Sequence, residues 1–270
     1  MYDIVTVIQE DDYSLPPLNL PAWDLSDIAA TNIGEVTQES QNAIPTASGT
    51  LLGKFVYKAV LDASLEYDED SKGYGSATAA LGKALGVALG RGIGKDLVNG
   101  DGSSAPEGIV VGATDSGVTT AALGAVSYAD VTSVFYSVNS AYRNSSKCAW
   151  LVNDKVHKML ANCVDDDHRP LFPLEDGIMQ VLGKPVYICP SLPAYNASLG
   201  TQHAGSFCVF GDLSHYVVHK SSILMRRFTN GVGLIEYGKC RYHGLMQVDA
   251  ALLDPTAGAN APVVSARLHA

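Results

Sequence analysis

The sequence predicts an α+β fold, and three observations carry that reading. One long helical segment spans 75–98, with leucine and glycine each recurring every fourth residue. Two shorter helical patterns follow between 128 and 163. From 178 onward β-branched and aromatic runs dominate: VLGKPVYI, SFCVFGD, HYVVH and LIEYGKCRYHGLMQVDAALL. Helices first and strands afterwards, without strict alternation, point to α+β rather than α/β. The 270 residues allow one large domain or two modest ones, with ample core.

Residues 1–27 read as an extended arm. Pro16, Pro17 and Pro21 disfavour helix, and Glu10-Asp11-Asp12 favours solvent. Trp23 and Leu25 are its candidate apolar anchors. An arm of this kind buries little by itself, so it is expected to lie on a neighbour. Residues 28–58 are polar and weakly alternating, as in a long two-stranded hairpin with IPTASG near its tip. Such a hairpin cannot hold itself in water and also asks for a partner surface. KFVYKAVLDASLEY (54–67) is strand-like and is expected to turn at DEDSKG. NGDGSSAPEG is a loop opened by the Asn99-Gly100 turn signal. Val131, Val134, Phe135, Val138 and Tyr142 fit one amphipathic helix over 128–142. Asn153-Asp154 caps another helix running to about Cys163. The tail after Asp254 reads as small and polar.

The stretch LGKALGVALGRGIGKDL places Gly82, Gly86, Gly90 and Gly94 on one helix face, beside a row formed by Leu81, Leu85 and Leu89. A phosphate-binding loop needs GxxxxGK and then Ser or Thr between a strand and a helix. LGRGIGKD fails at Leu89 and at Asp96; GLIEYGKC (233–240) has the spacing but ends in Cys and runs into a strand pattern. A GxxxG membrane pair needs an apolar 20-mer, which Lys83, Arg91, Lys95 and Asp96 interrupt. What remains is a soluble helix about 35 Å long. Each glycine costs it about 1 kcal/mol relative to alanine. The strip therefore predicts close approach of a backbone or a large side chain, from the fold or from a neighbouring subunit.

Composition narrows the function. Apolar residues make up 47% and charged residues 17%, which is globular rather than disordered. A net charge of -10 and scattered basic residues argue against general duplex binding. Five cysteines at 148, 163, 189, 208 and 240 form no CxxC and are expected to be reduced core thiols. The N-terminus lacks the layout of a signal peptide, and no apolar run is long enough for a membrane span. A reducing interior and no membrane partner are therefore expected. His215, His219 and Asp212 are the candidate metal cluster, but no third ligand is fixed by spacing. Asp165-Asp166-Asp167-His168 and Asp68-Glu69-Asp70 read as solvated charge runs rather than ion sites. Ser214 and His215 are adjacent on a predicted strand and point to opposite faces, so they make no nucleophile–base pair. No catalytic residue, cofactor or metal is expected, and the chain is not expected to be an enzyme.

The order of five segments carries a resemblance. GDGSSAPEGI follows the long helix; AWLVNDKVHKMLANCVDDDHRPLF, VLGKPVYICPSLP, GSFCVFGDLSHYVVHKS and KCRYHGLMQVDAALL come after it. This series resembles the major capsid proteins of tailed bacteriophages, the Hong Kong 97-type capsid fold, over nearly the whole chain. The more specific pieces are LGKPV with Pro190 and Pro193, and Phe210-Gly211-Asp212.

The resemblance implies an N-terminal arm (1–27) and an extended loop (28–58), both lying across neighbours. It implies a peripheral domain with a long spine helix (59–109) and an axial domain (110–222). Return strands of the peripheral domain and a C-terminal tail complete the chain (223–270). It further implies a homo-oligomer of hexamers and pentamers in an icosahedral virion shell around double-stranded DNA, without sequence-specific binding. The implied partners are a portal protein and separate scaffolding and decoration proteins, with assembly in the host bacterial cytoplasm. Many members begin with a scaffolding segment that a protease removes; this chain lacks one, which leaves either a trimmed mature form or a separate scaffolding protein, and Met1 favours the second. Inter-subunit contacts are expected at Trp23, Glu35, Lys54 and Lys58. Some members crosslink subunits through Lys, Asn and Glu. Lys54, Asn230 and Glu236 are the nearest types here, and no crosslink is expected. A gene-transfer-agent capsid is indistinguishable at this level. An encapsulin shell around a cargo enzyme is the alternative reading. A soluble metal-dependent enzyme using His215, His219 and Asp212 is a remote one.

Overall fold

The computed structural model describes residues 4–22, 48–70, 77–120, 126–165, 167–172, 174–175, 177–192, 206–255 and 260–267. In chain order its elements begin with β1 (Thr6–Gln9), β2 (Leu18–Ala22), β3 (Ser48–Leu52) and β4 (Phe55–Ser64). Next come α1 (Leu65–Asp70), α2 (Ala77–Asn99), α3 (Ile109–Gly112), β5 (Thr114–Thr119), α4 (Tyr128–Ser137) and α5 (Ser140–Arg143). Then follow β6 (Cys148–Val152), α6 (Asp154–Ala161), β7 (Leu174–Glu175), β8 (Ile178–Val181), β9 (Lys184–Ile188) and β10 (Ser206–Asp212). The chain ends with β11 (Tyr216–Lys220), β12 (Leu224–Phe228), α7 (Val232–Ile235), β13 (Lys239–Leu252) and β14 (Val263–Arg267).

Two large sheets and a two-stranded one, β2-β3, organise the described strands. The first runs β1-β11-β13-β12, with β4 on the other side of β13. β4 alternates: Tyr57, Ala59, Leu61 and Ala63 turn toward α2, while Val56, Lys58, Val60 and Asp62 are exposed. The second sheet runs β5-β14-β10-β6-β9-β8-β7. β6 is buried along its whole length because both faces of this sheet are covered. Val131 and Val134 of α4 and Val156 and Leu160 of α6 close one face over Trp150, Phe210 and Val264. Trp150 stacks on Phe210 at 4.0 Å and donates its indole N–H to the Val181 carbonyl at 3.2 Å.

The other face shares one apolar core with the first sheet. Leu89, Ile93 and Leu97 of α2 meet Ile109 and Val110 of α3, Leu151, Val209 and Val263 of the second sheet, and Val218, Val248 and Ala250 of the first. Tyr216 sits in this core with its hydroxyl 2.9 Å from the Leu97 carbonyl and 2.7 Å from that of Glu107. The turn from α2 into α3 is drawn tight by two glycines. A Cβ on Gly100 would lie 2.0 Å from the Pro106 carbonyl oxygen, and one on Gly108 would lie 2.5 Å from that of Val98. Asp101 rigidifies the same loop by accepting the Ser104 hydroxyl at 2.8 Å and the N–H groups of Ser103, Ser104 and Ala105, and these bonds hold its carboxyl well below the usual carboxylate range.

Several expectations shift at this level. The arm does not wait for a neighbour along its first strand: β1 pairs in parallel with β11 of its own chain. The described end of the polar loop, β3, pairs with β2 of the arm, while 55–58 already belong to β4. DEDSKG begins as helix, since α1 runs through Asp70. The pattern over 128–142 divides in two. Val138 takes an extended backbone, and the Asn139 side chain accepts the Ala141 N–H to start α5. VLGKPVYI is a hairpin whose two-residue turn puts Leu182 at φ 52 and Gly183 at φ 73. The start of LIEYG is helical in α7. The tail after Asp254 returns as the buried strand β14, wedged between β5 and β10. β14, within 223–270, thus belongs to the second sheet, and β11, within 110–222, to the first.

All five cysteines are free. Burial pushes the Cys148 thiol up to about 11 and raises those of Cys163, Cys189 and Cys208 as well. A thiolate-selective reagent at pH 8 is expected to label the native chain slowly and all five thiols once urea unfolds it. Rapid labelling of two or more thiols in the native protein would contradict this packing.

Candidate assembly surface

α2 presents two different rows. Leu85, Leu89, Ile93 and Leu97 are each 3% exposed or less and form its buried edge. Burying each contributes about 1.5–3 kcal/mol, which outweighs the roughly 1 kcal/mol cost of each glycine beside it. The close helix–sheet approach falls on the strand: Gly244 of β13 would carry a Cβ 3.4 Å from Leu89 Cδ1 and 3.7 Å from Leu85 Cβ. Among the described residues, only Gly82 of the predicted strip is met, by Met225 Cε at 3.2 Å from where its Cβ would be. A Cβ on Gly86, Gly90 or Gly94 would meet nothing within 4 Å among the described residues. Gly90 and Gly94 instead line an open cavity of ≈ 220 Å³ with Ile4, Leu151, Tyr187 and Ile188.

Lys54 and Lys58 are exposed, with Lys58 on the outward face of β4. Trp23 and Glu35 lie outside the described residues. The loop base is anchored to the first sheet where the Asp249 carboxylate accepts the Gly53 N–H. Asp249 stands near Glu107, and burial raises both carboxyls above the usual range. This anchor was not visible in the sequence, because residues 53 and 249 meet only through the fold. Lys54 precedes β4 at its Val248 end, whereas Asn230 and Glu236 lie in the connection between β12 and β13, at the Lys239 end. The length of β4, roughly 30 Å, separates the two ends, so these three do not meet within one chain.

The other candidates are engaged separately. Asp212 accepts the Ser214 N–H at 3.0 Å and its hydroxyl at 2.6 Å. His215 packs edge-on to Tyr142 at 5.1 Å. His219 is fully buried, with Nε2 3.4 Å from Glu10 Oε1. Among the described residues no group of three or more His, Cys, Asp or Glu is placed to hold a metal ion. Asp165 accepts the N–H groups of Asp167 and Arg169 in an exposed turn. Asp68-Glu69-Asp70 closes α1. LGRGIGKD lies inside α2, and GLIEYGKC runs from α7 into β13, so neither sits ahead of a helix N-terminus as a phosphate loop must. Among the described residues no helix is long and apolar enough to cross a membrane.

With this geometry in place, comparison with known proteins is specific. The model of the phage capsid family matches residues 1–259. The chain belongs to the phage capsid family, and it is accordingly a structural protein of the virion capsid. No curated protein sequence matches it. Among solved structures it is similar to the capsid of a native GTA particle, at TM-score 0.72 and 16% identity, covering 99% of this chain and 89% of that one. It is similar to Gordonia phage Cozz at 0.67 and 16%, covering 99% and 85%, and to Mycobacterium phage Cain at 0.61 and 15%, covering 99% and 89%. At such identities the likeness is one of fold, the Hong Kong 97-type capsid fold.

Two predictions come from this surface. Gly90→Ala is expected to stabilise the unassembled subunit by up to about 1 kcal/mol, read by urea unfolding, while lowering the yield of assembled particles. Gly92→Ala, off the strip and equally open, is expected to stabilise similarly and assemble normally. Equal assembly by both variants would remove the strip from the interface. The second concerns pH. Because the folded pKa of Glu107 is raised, the fold binds its proton more tightly than the unfolded chain does. Its contribution is present at acid pH and is lost as pH rises through the folded pKa. Glu107→Gln is therefore expected to melt higher than the parent at pH 7 and to converge with it near pH 4.

Proposed function

We propose that copies of this chain close into the hexamers and pentamers of an icosahedral shell that encloses double-stranded DNA. The observation that carries this reading is the family match over 1–259, supported by fold likeness to capsids over 99% of the chain. In this reading 1–27 is the arm, 28–58 the extended loop, 59–109 with 223–270 the peripheral domain, and 110–222 the axial domain, with β11 going instead to the peripheral sheet and β14 to the axial one. Gly82, Gly86, Gly90 and Gly94 form the close-packing strip on the spine helix, and Trp23, Glu35, Lys54 and Lys58 reach neighbours.

The mechanism is mechanical. No bond is made or broken; many modest contacts add up around closed rings. The rest of the assembly is a portal protein, with scaffolding and decoration functions, built in the host bacterial cytoplasm. DNA is held without sequence readout, which suits an acidic subunit because a strongly basic wall would grip phosphates. A gene-transfer-agent container is a second reading, favoured by the TM-score of 0.72 to such a capsid.

The test is electron microscopy, with size exclusion, of the chain expressed alone and purified gently. Shells, tubes or ring-shaped capsomers are expected, and boiled gels of assembled material should show monomer bands. A monomer or dimer under all conditions would overturn the proposal. Uniform small shells filled with a host enzyme would turn it into an encapsulin.

A further inference from the structure

The solvent side of α2 carries charge of one sign. Its buried edge is Leu85, Leu89, Ile93 and Leu97; Lys83, Val87, Arg91 and Lys95 recur with the same spacing of four. Each of these four lies two residues, about 200° of rotation, from a member of the buried edge, so they line the opposite side of the helix. Lys83, Arg91 and Lys95 are exposed, and Val87 is 53% exposed. At 1.5 Å per residue the row is about 18 Å long.

Nothing on the helix neutralises this row. No Asp or Glu stands between Asp70 and Asp96, and no acid lies three or four residues from any of the three cations. Asp96 itself accepts the Tyr57 hydroxyl at 2.8 Å. Surface helices commonly set their cations in such i,i+4 pairs with acids. Among the described residues the side chains of Lys83, Arg91 and Lys95 enter no ion pair or hydrogen bond. The basic residues scatter along the sequence of a chain whose net charge is -10; the helical repeat gathers these three into a line.

The residues around the charges define the partner. Between them stand Ala84, Gly86, Ala88, Gly90, Gly92 and Gly94. Apart from Val87 the row offers no aromatic or large aliphatic anchor of the kind a protein partner buries. The small residues leave three long side chains free to swing onto a smooth polyanion. A straight row fits a rod: about 18 Å matches five phosphate steps along one strand of a duplex, at about 3.4 Å each. The glycine strip lies one residue, about 100°, to the side, so a neighbouring subunit seated on the strip leaves the row open.

We infer that the outer row of α2 lies against the phosphate backbone of double-stranded DNA. The inference rests on the shell reading above and adds the surface through which a subunit touches the contents. Three cations on an acidic subunit make a loose contact without sequence readout, released by salt.

The experiment titrates a fluorescent 20-base-pair duplex with the full chain before assembly and reads anisotropy between 20 and 200 mM salt. Weak binding is expected, with log affinity falling against log salt at a slope of about -2.7 for three phosphate contacts. Lys83→Gln, Arg91→Gln and Lys95→Gln together are expected to weaken binding at least tenfold at 20 mM salt. Lys147→Gln, Lys155→Gln and Lys158→Gln change the net charge equally and are expected to leave it within twofold. Lys83→Arg with Lys95→Arg keeps the charge and is expected to bind like the parent. Melting curves check that these exposed substitutions leave the fold intact, and electron microscopy of the same samples reads assembly, which all three variants are expected to retain. In DNA-filled particles, formaldehyde bridges a lysine amine to a base amine through one carbon with loss of water, and nucleotide-bearing peptides are expected at Lys83 or Lys95. A parent that ignores the duplex at 20 mM salt would overturn the inference, as would equal weakening by both glutamine sets. Bridges confined to other lysines would also sink it. Poly-glutamate that displaces the duplex at equal charge concentration would make the row a site for an acidic polypeptide instead. Loss of assembly in the first glutamine set alone would make it a subunit interface and leave the shell reading standing. A parent that never assembles would remove the shell reading and this inference with it.

Discussion

The structure depends on the seating of one long helix on one long strand. Leu85 and Leu89 of α2 descend onto β13 at Gly244, where the absence of a side chain lets the helix approach. Further along α2, Ile93 and Leu97 enter the core that both sheets share. Without that seating β4 would lose the apolar floor under Tyr57, Ala59 and Leu61, and the second sheet would lose its link to the first. The glycines of α2 weaken the isolated helix, and tertiary burial outweighs that cost, as it does for most helices in proteins.

A rigid beam joined to two sheets suits a shell subunit. Load applied at one end is transmitted through a close-packed core rather than absorbed by it. The tight Gly100–Gly108 crossing and the Asp101 loop fix the angle at which α2 hands over to α3. Around this body, the arm and loop base are held by the β1–β11 pairing, by apolar contact of Leu52, Leu18 and Leu20 with Val217 and Ala251, and by polar ties of Glu10 near His219 and Gly53 on Asp249.

The features that identify the chain as a capsid protein are distributed rather than concentrated. Each candidate for conventional chemistry has a local structural use: Asp212 caps a turn, His215 packs on Tyr142, and the Asp165 run closes a loop. Among the described residues, what is unusual lies on surfaces, in the open glycine strip of α2 and the exposed outer row of β4.

The sequence by itself determined α2, the Asn153 cap of α6, the strand character of 206–220 and the α+β class, because these follow from local periodicity and capping. It also carried the family resemblance, through the order of its segments. It did not reveal β14, whose five residues lie behind a small, polar connection, or the break at Val138, where Asn139 starts a new helix. Only the tertiary structure decided that β1 joins its own sheet, that β11 and β14 lie in opposite sheets, and that Gly244 rather than the helix glycines receives the leucines. Those outcomes depend on which residues distant in the chain meet, and periodicity along a chain holds no information about its distant partners.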